Sequence, residues 1–309
     1  MSVPKRHHLL PAFYLRGFCN SDLHEKEDHE SHPGRCRLWI YDQRQSSVRV
    51  SSVANVAVEK HFYSADVPGG GRDPEPEQQL SVLEGHASRI IRDLRYGGNL
   101  TNDDRAWLAR FVAYAKFRTP GYRTWLEGFA EVTYPEMRKQ MFPTVSSIKE
   151  YLRTKGLPVD QIPREAFDAL YRDVHEKASG LPVDKNYMLQ RMFELGERIA
   201  EELFGFDWTF AWAIEDTSFV TSDDPFLILD ENMKAPAGFV GETRIATPNA
   251  TKVLPLNQNV CLLIGTGAPS TYHVRLDRGT TRQLNTEQSR HFSRWLIARD
   301  EALLRRMIG

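Results

Sequence analysis

The segment MLQRMFELGERIAEELFGFDWTFAWAI, residues 188–214, changes its repeat in the middle. Met188, Met192, Leu195, Ile199 and Leu203 recur at three- or four-residue steps, the spacing that lines one side of an α-helix. From Asp207 the run becomes Trp208 to Ile214, rich in aromatic residues and bounded by turn residues, which reads as a strand. The chain therefore leaves a helical region and enters a sheet at this point.

Towards the N-terminus the helical repeat continues. It predicts helices over about 185–204, 163–178, 144–155 and 121–142. Before them a helix opens at Thr101, with Asp104 three residues on as a capping-box-like pair, and carries Trp107, Leu108, Phe111, Val112 and Ala115 until Pro120 ends it. Another starts at Pro76, with Leu80, Leu83, Ala87, Ile90, Ile91 and Leu94 at helical spacing and Gly97-Gly98 as a stop. Earlier still, Arg37 to Asp42 and Ser47 to Val53 read as a hairpin, with a third extended piece at His61 to Ser64. Residues 20–34 and 67–76 are loop-like by composition.

Towards the C-terminus the expected strands are Trp208 to Ile214, Ser218 to Ser222, Phe226 to Leu229, Lys252 to Leu256 and Val260 to Gly265. A final helix is expected from Asn285 or Thr286, carrying Phe292, Trp295, Leu296, Leu303 and Met307 to the end. Strands, then helices, then strands again argue for an α+β fold and against repeated βαβ units. The expected architecture is a mostly antiparallel sheet built from N- and C-terminal strands, with a large helical middle segment packed on it. Residues 1–309 form a single domain in this reading, and 76–205 are a helical insertion or subdomain.

The 309 residues are 41% hydrophobic and 26% charged, a globular balance. Forty basic residues oppose 41 acidic ones, for a net charge of −1. No global field draws such a chain to nucleic acid or an anionic membrane, so either would need a local patch. Cys19, Cys36 and Cys261 are odd in number, far apart, and lack the Cys-x-x-Cys spacing of a disulfide framework or zinc site. With no apolar run suited to a signal peptide or a membrane span, the expected compartment is the reducing cytoplasm.

Chemistry-bearing residues concentrate in three places. The first is KRHHLLPAFYLRGF, residues 5–18, where Lys5 and Arg6 precede His7 and His8. Two histidines behind two cations suit phosphate binding or acid/base work near neutral pH, although one histidine packed and the other solvated is the plainer alternative. The second is FVTSDDPF, residues 219–226, in which a strand runs into Asp223 and Asp224. A carboxylate at a strand end can hold a metal or act as a base, or it can bond its own backbone in an Asx turn; Asp223 is the better candidate because Pro225 restricts Asp224. The third is the helix after Thr101, where Trp107, Phe111 and Arg118 fall within roughly 40° of one another, flanked by Arg110 and Tyr114. A core-facing Arg118 needs a carboxylate such as Asp223 or an anionic ligand, unless it serves the helix dipole and reaches solvent. Glu84 reads as a solvated single carboxylate. His24, His29 and His32 lie in a polar loop rather than in a metal-ligand pattern. No P-loop, Gly-x-Ser-x-Gly, His-Glu-x-x-His or dinucleotide fingerprint occurs.

Residues 5–18, residues 60–64 with 77–84, and residues 219–225 together resemble an uncharacterised bacterial family known only as domain of unknown function 4238. Its members begin with His-His-x-x-Pro-x-x-Tyr-Leu-x-x-Phe and carry a late Thr-Ser-Asp-x-Pro element. The resemblance spans about residues 5 to 300 and implies no activity, because the family has none established. Its members show Asn more often where this chain has Asp224, which leaves Asp223 as the residue to follow. Their scattered, defence-like distribution implies, by association alone, a nucleic-acid-directed effector.

The leading expectation is a hydrolase of a phosphodiester or nucleotide, nuclease-like, with His7 or His8 as general acid/base and Asp223 as base or ligand of a divalent metal. Arg118 would clamp the anion, and Lys5, Arg6, Arg110 and Tyr114 would bind substrate. The alternative is a non-catalytic sensor or protein-interaction module whose His, Asp and Arg residues form a structural polar network.

Overall fold

The computed structural model describes residues 6–20, 36–60, 62–63, 65–67, 71–94, 100–176, 185–236 and 249–309. In chain order its elements are β1 (Arg6–His8), α1 (Ala12–Arg16), β2 (Arg37–Asp42), β3 (Ser47–Ser52), β4 (Val58–Lys60), β5 (Ala65–Asp66), β6 (Arg72–Asp73), α2 (Glu75–Leu94), α3 (Asn102–Phe117), α4 (Pro120–Met141), α5 (Val145–Thr154), α6 (Arg164–Glu176) and α7 (Lys185–Phe204). There follow β7 (Trp208–Ala213), β8 (Thr221–Ser222), β9 (Leu227–Leu229), β10 (Thr251–Asn257), β11 (Val260–Ile264), β12 (Thr271–Leu276), α8 (Arg278–Arg290), β13 (Trp295–Ala298) and α9 (Glu301–Ile308). The fold is α+β with sheets that are mostly antiparallel.

Two larger sheets are present where one was expected. The first has the order β12-β7-β11-β10-β9 and comes wholly from the C-terminal part; only the β12–β7 pairing is parallel. The second, β3-β2-β13-β8, is antiparallel and does unite the two ends of the chain. β1 pairs with β4 and β5 with β6 as separate ribbons. The core of the first sheet gathers Ala211, Phe219, Leu227, Leu229, Val253 and Cys261. That of the second gathers Val220, Leu296, Ala298, Leu303 and Leu304.

Helices with an apolar stripe lie where the sequence puts them. The inward side of α2 is Leu80, Leu83, Ala87, Ile90, Ile91 and Leu94, all buried. The Thr101 side chain caps α3 by accepting the Asp104 N–H at 3.1 Å, and it donates to the Asp104 carboxylate at 2.7 Å. Arg105 closes the far end of α7, donating to the carbonyls of Phe204 and Phe206, and its guanidinium lies over the Trp208 ring.

Four expectations need correction. The final helix is two helices with β13 between them. α8 starts at its N-cap Asp277, eight residues before Asn285 by numbering, and its inward side is polar apart from Leu284, with Thr281, Asn285, Glu287 and Gln288 buried, so no apolar repeat marks it. Trp295 and Leu296 belong to β13, a four-residue apolar run too short to reveal its period. β12 is missed because it pairs with β7 alone and most of its residues are exposed, which removes the alternation. The third extended piece sits earlier, at Val58–Lys60; Phe62 and Tyr63 are in a turn, and His61 and Ser64 lie outside the described residues. The Gly97-Gly98 stop and most of the loop at 20–34 also lie outside them.

The fourth correction concerns the cysteines. Cys19 and Cys36 form a disulfide with a Cα–Cα distance of 6.2 Å, and Cys261 is free and buried. The sequence separation hides the pairing, but the backbone bond from Asn20 N–H to Arg37 O brings the two segments together. Next to Cys19, Gly17 lies against β10: a Cβ there would meet the Asn257 Cβ at 2.7 Å, so only glycine permits the approach.

The chain divides into two compact units, one of Met1–Tyr122 with Leu189–Gly309 and the other of Arg123–Met188. The first holds all of the sheets together with α1 to α3, α8, α9 and most of α7. The second has its own small core of Ile148, Val159, Phe167 and Val174.

Candidate functional site

The ribbon of β1 and β4 sets His7 opposite Glu59 and leaves its imidazole only 2% exposed. Nδ1 accepts the Tyr63 backbone N–H at 2.8 Å, so the ring proton sits on Nε2, which faces Glu77 Oε2 at 3.3 Å. The ring lies nearly parallel to that of Tyr63, 5.7 Å away. Glu77 and Glu84 are seven residues apart on α2 and therefore share one face of it.

Arg118, just beyond the last turn of α3, is 4% exposed and enters the same cluster. Its Nε donates to the Tyr63 hydroxyl at 3.1 Å, while Nη2 reaches the His8 carbonyl at 3.2 Å and Glu84 Oε1 at 2.8 Å. The Tyr63 hydroxyl donates in turn to the Arg118 carbonyl at 3.4 Å, and the guanidinium stands 4.9 Å from the Tyr63 ring centroid. Burial pulls the Arg118 pKa down, but Tyr63 and Glu84 outweigh it and hold the group above its ordinary value. Arg118 thus faces the interior, as its helical position indicates. Its carboxylate partner is Glu84, not Asp223, and it neither reaches solvent nor awaits an anion as its only partner.

The Thr-Ser-Asp element is woven into the backbone around it. Thr221 Oγ1 lies 2.7 Å from the Tyr14 hydroxyl, which donates to Pro255 O at 2.7 Å. Ser222 Oγ meets the Asp224 N–H, the Gln288 amide and the carbonyl of His291. Asp223 is fully buried: Oδ1 accepts the Ser293 N–H and Oδ2 the Arg294 N–H, both at 2.9 Å, and its own N–H donates to Trp295 O. Burial pushes its carboxyl up to about 7, against the downward pull of those N–H donors. Neighbouring Asp224 is also pushed up by burial, with Lys116 and His291 pulling it down, and Lys116 Nζ stands 3.8 Å from its Oδ1.

The structure joins His7, the His8 carbonyl and Arg118 in one cluster, whereas Asp223 belongs to a second one around β8 and β13. Arg110 and Tyr114 lie elsewhere, with Glu197 of α7. Arg110 Nε donates to Glu197 Oε2 at 2.9 Å and the Tyr114 hydroxyl to Oε1 at 3.2 Å, beside a cavity of about 410 Å³. Lys5 lies outside the described residues, and of Arg6 only the backbone pairing with Lys60 is described. Sequence reasoning missed Glu77 and the role of Glu84. The available signal was their seven-residue spacing on a helix opposite a core-facing arginine.

Among the described residues no group of three or more His, Cys, Asp or Glu side chains is placed to hold a metal ion. Both oxygens of Asp223 already accept backbone N–H groups, which suits a structural carboxylate better than a metal ligand. His24, His29 and His32 lie outside the described residues. No described helix is long and apolar enough to cross a membrane.

The segments that carry the family resemblance therefore meet in space: His7 and the His8 carbonyl with Tyr63, Glu77 and Glu84, and Tyr14 with Thr221. A family model described as protein of unknown function (DUF4238) matches residues 6–302. The chain belongs to the DUF4238 family. Comparison of this DUF4238 chain with curated proteins and with solved structures returned no match.

Proposed function

We propose that this DUF4238 protein is a non-catalytic sensor module in which the family's three segments form a structural polar network. The observation that carries this reading is the commitment of the reactive atoms of His7 and Asp223. A general base needs a lone pair within reach of a substrate proton. Asp223 is fully buried with each oxygen on a backbone N–H, of Ser293 and Arg294, so its remaining lone pairs face no solvent, and in His7 the one basic nitrogen is taken by the Tyr63 N–H. The network ties β1, the turn at Tyr63, α2 and the residue after α3 into one block, and a second set ties β8 to the segment before β13.

One observation favours the hydrolase reading. Glu77 and Glu84 keep side-chain exposures of 29% and 27% beside the Arg118 guanidinium, so an anionic substrate has a charged edge to approach. A panel of phosphodiesters, nucleotides and short oligonucleotides, assayed with and without magnesium or manganese, separates the two. The sensor reading expects no turnover above buffer. Metal-dependent turnover by the wild type, abolished in a folded Glu84→Gln or Asp223→Asn variant, would establish the hydrolase.

The cytoplasm is the proposed compartment, and the Cys19–Cys36 bond is the observation that speaks against it, since cytosolic thiols are kept reduced. Acid-quenching cells and alkylating the denatured protein decides the matter: three modified cysteines support the cytoplasm, and one supports an oxidising compartment.

A further inference from the structure

The Arg110–Glu197 pair stands between two concavities that run along α3 and α7, one of about 410 Å³ and one of about 230 Å³. The larger falls in the size range of small-molecule sites. Its apolar walls include Leu80, Leu83, Trp107 and Phe193, and of its polar side chains Arg110, Tyr114 and Glu197 meet at the ion pair while Gln79 bonds Glu75.

The pair is built rather than incidental. Tyr114, 3% exposed, reaches Glu197 only because its ring lies on the backbone of Gly196, where a Cβ would meet ring carbons at 2.7 Å. A glycine inside a helix costs roughly 0.5–1 kcal/mol relative to alanine, so its presence in α7 calls for such a contact. Burial and the adjacent Glu197 carboxylate hold the Tyr114 hydroxyl above its ordinary pKa, which keeps it a donor. Arg110 uses Nε on Glu197, and among the described residues its two terminal nitrogens take no hydrogen bond. They are left to receive an anionic group.

We propose that this cavity binds a free α-amino acid with a large apolar side chain, its carboxylate on the outer edge of Arg110, its ammonium on Glu197 and its side chain between Phe193 and the leucines of α2. The proposal rests on the sensor reading and names what is sensed. The argument is charge matching: a guanidinium and a carboxylate 2.9 Å apart are neutral together, and a zwitterion engages both without stranding either. A simple carboxylate would face Glu197, and a simple amine would face Arg110. A nucleobase fits less well, because the Trp107 ring already carries His86 stacked at 3.8 Å and the Arg110 guanidinium at 5.4 Å.

The test is calorimetric titration of the full chain with L-phenylalanine, L-leucine and L-tryptophan, beside 3-phenylpropionate, phenethylamine and guanosine monophosphate. The expected result is saturable binding of at least one amino acid. Each one-charge analogue should bind more weakly by about tenfold or more, and Glu197→Gln and Arg110→Gln should each weaken the amino acid to a similar extent. Gly196→Ala should displace the Tyr114 ring and weaken it too; should that variant fail to fold, Tyr114→Phe tests the same hydroxyl. Equal binding of the one-charge analogues, or tighter binding of the nucleotide, would overturn the ligand class. No binding by a protein whose His7 and Asp223 variants are destabilised would overturn this inference and leave the sensor reading standing. Conversion of the bound amino acid to a product would keep the site and overturn the sensor reading.

Discussion

Asp223 holds two backbone N–H groups in a site without water access, and its chemistry sets a pH dependence with a definite sign. Burial raises its folded pKa to about 7 from an ordinary 3.8, so between those values the folded state retains a proton that the unfolded chain releases. Stability from this group is greatest below about pH 4, falls as pH rises to about 7 and levels beyond, by an amount on the order of a few kcal/mol. Chemical denaturation at intervals across that range is expected to show the fall in the wild type and a flatter profile in Asp223→Asn. Below about pH 4 the variant itself should be less stable by about 1–3 kcal/mol, because an amide presents only one acceptor to two donors; towards pH 7 the wild type's fall closes or reverses that gap. At this scale the sequence marks the right residues more readily than their partners. Arg118 is legible as inward-facing from its helical angle, but Glu84 looks like an ordinary surface glutamate until the turn carrying Tyr63 is placed beside it.

Elements were legible in proportion to their apolar periodicity. α2, α3 and α7 bury continuous stripes and are found within a residue or two of their bounds. Apart from Leu284, α8 buries the polar Thr281, Asn285, Glu287 and Gln288, because it packs on the irregular segment before β8, whose backbone it must satisfy: Asn285 accepts the Val220 N–H and donates to Ser218 O. A polar inner face carries no hydrophobic signal, so its start and its separation from α9 were hidden. The same logic governs the end of α1, where Gly17 meets the turn after β10 backbone to backbone, with the Gln258 N–H bonded to Gly17 O at 3.0 Å. Gly17→Ala forces a methyl into Asn257 and is expected to cost about 1–3 kcal/mol, read as a lowered melting temperature. An unchanged melting curve would mean that α1 can shift off β10 without loss.

The whole molecule separates into a unit that holds the sheets and both polar clusters, and a helical unit, Arg123–Met188, with a core of its own. Phe167 is 1% exposed at the centre of that small core, under Lys149 at 4.7 Å. Phe167→Ala is expected to remove about 3–5 kcal/mol from the helical unit, and amide exchange should accelerate within residues 123–188. Every residue lining the amino-acid cavity belongs to the other unit, so titration of the same variant should leave its affinity unchanged.

The central claim, that the family's segments form a scaffold and not a catalytic centre, is tested most directly by equilibrium urea unfolding of the wild type, His7→Ala and Asp223→Asn at about pH 4, where the Asp223 ionisation does not weigh on the folded wild type. The account expects both variants to unfold at lower urea, each less stable by roughly 1–3 kcal/mol, since each removal strands backbone donors inside the protein. Variants as stable as the wild type, or more so, would contradict it and point to groups strained for catalysis.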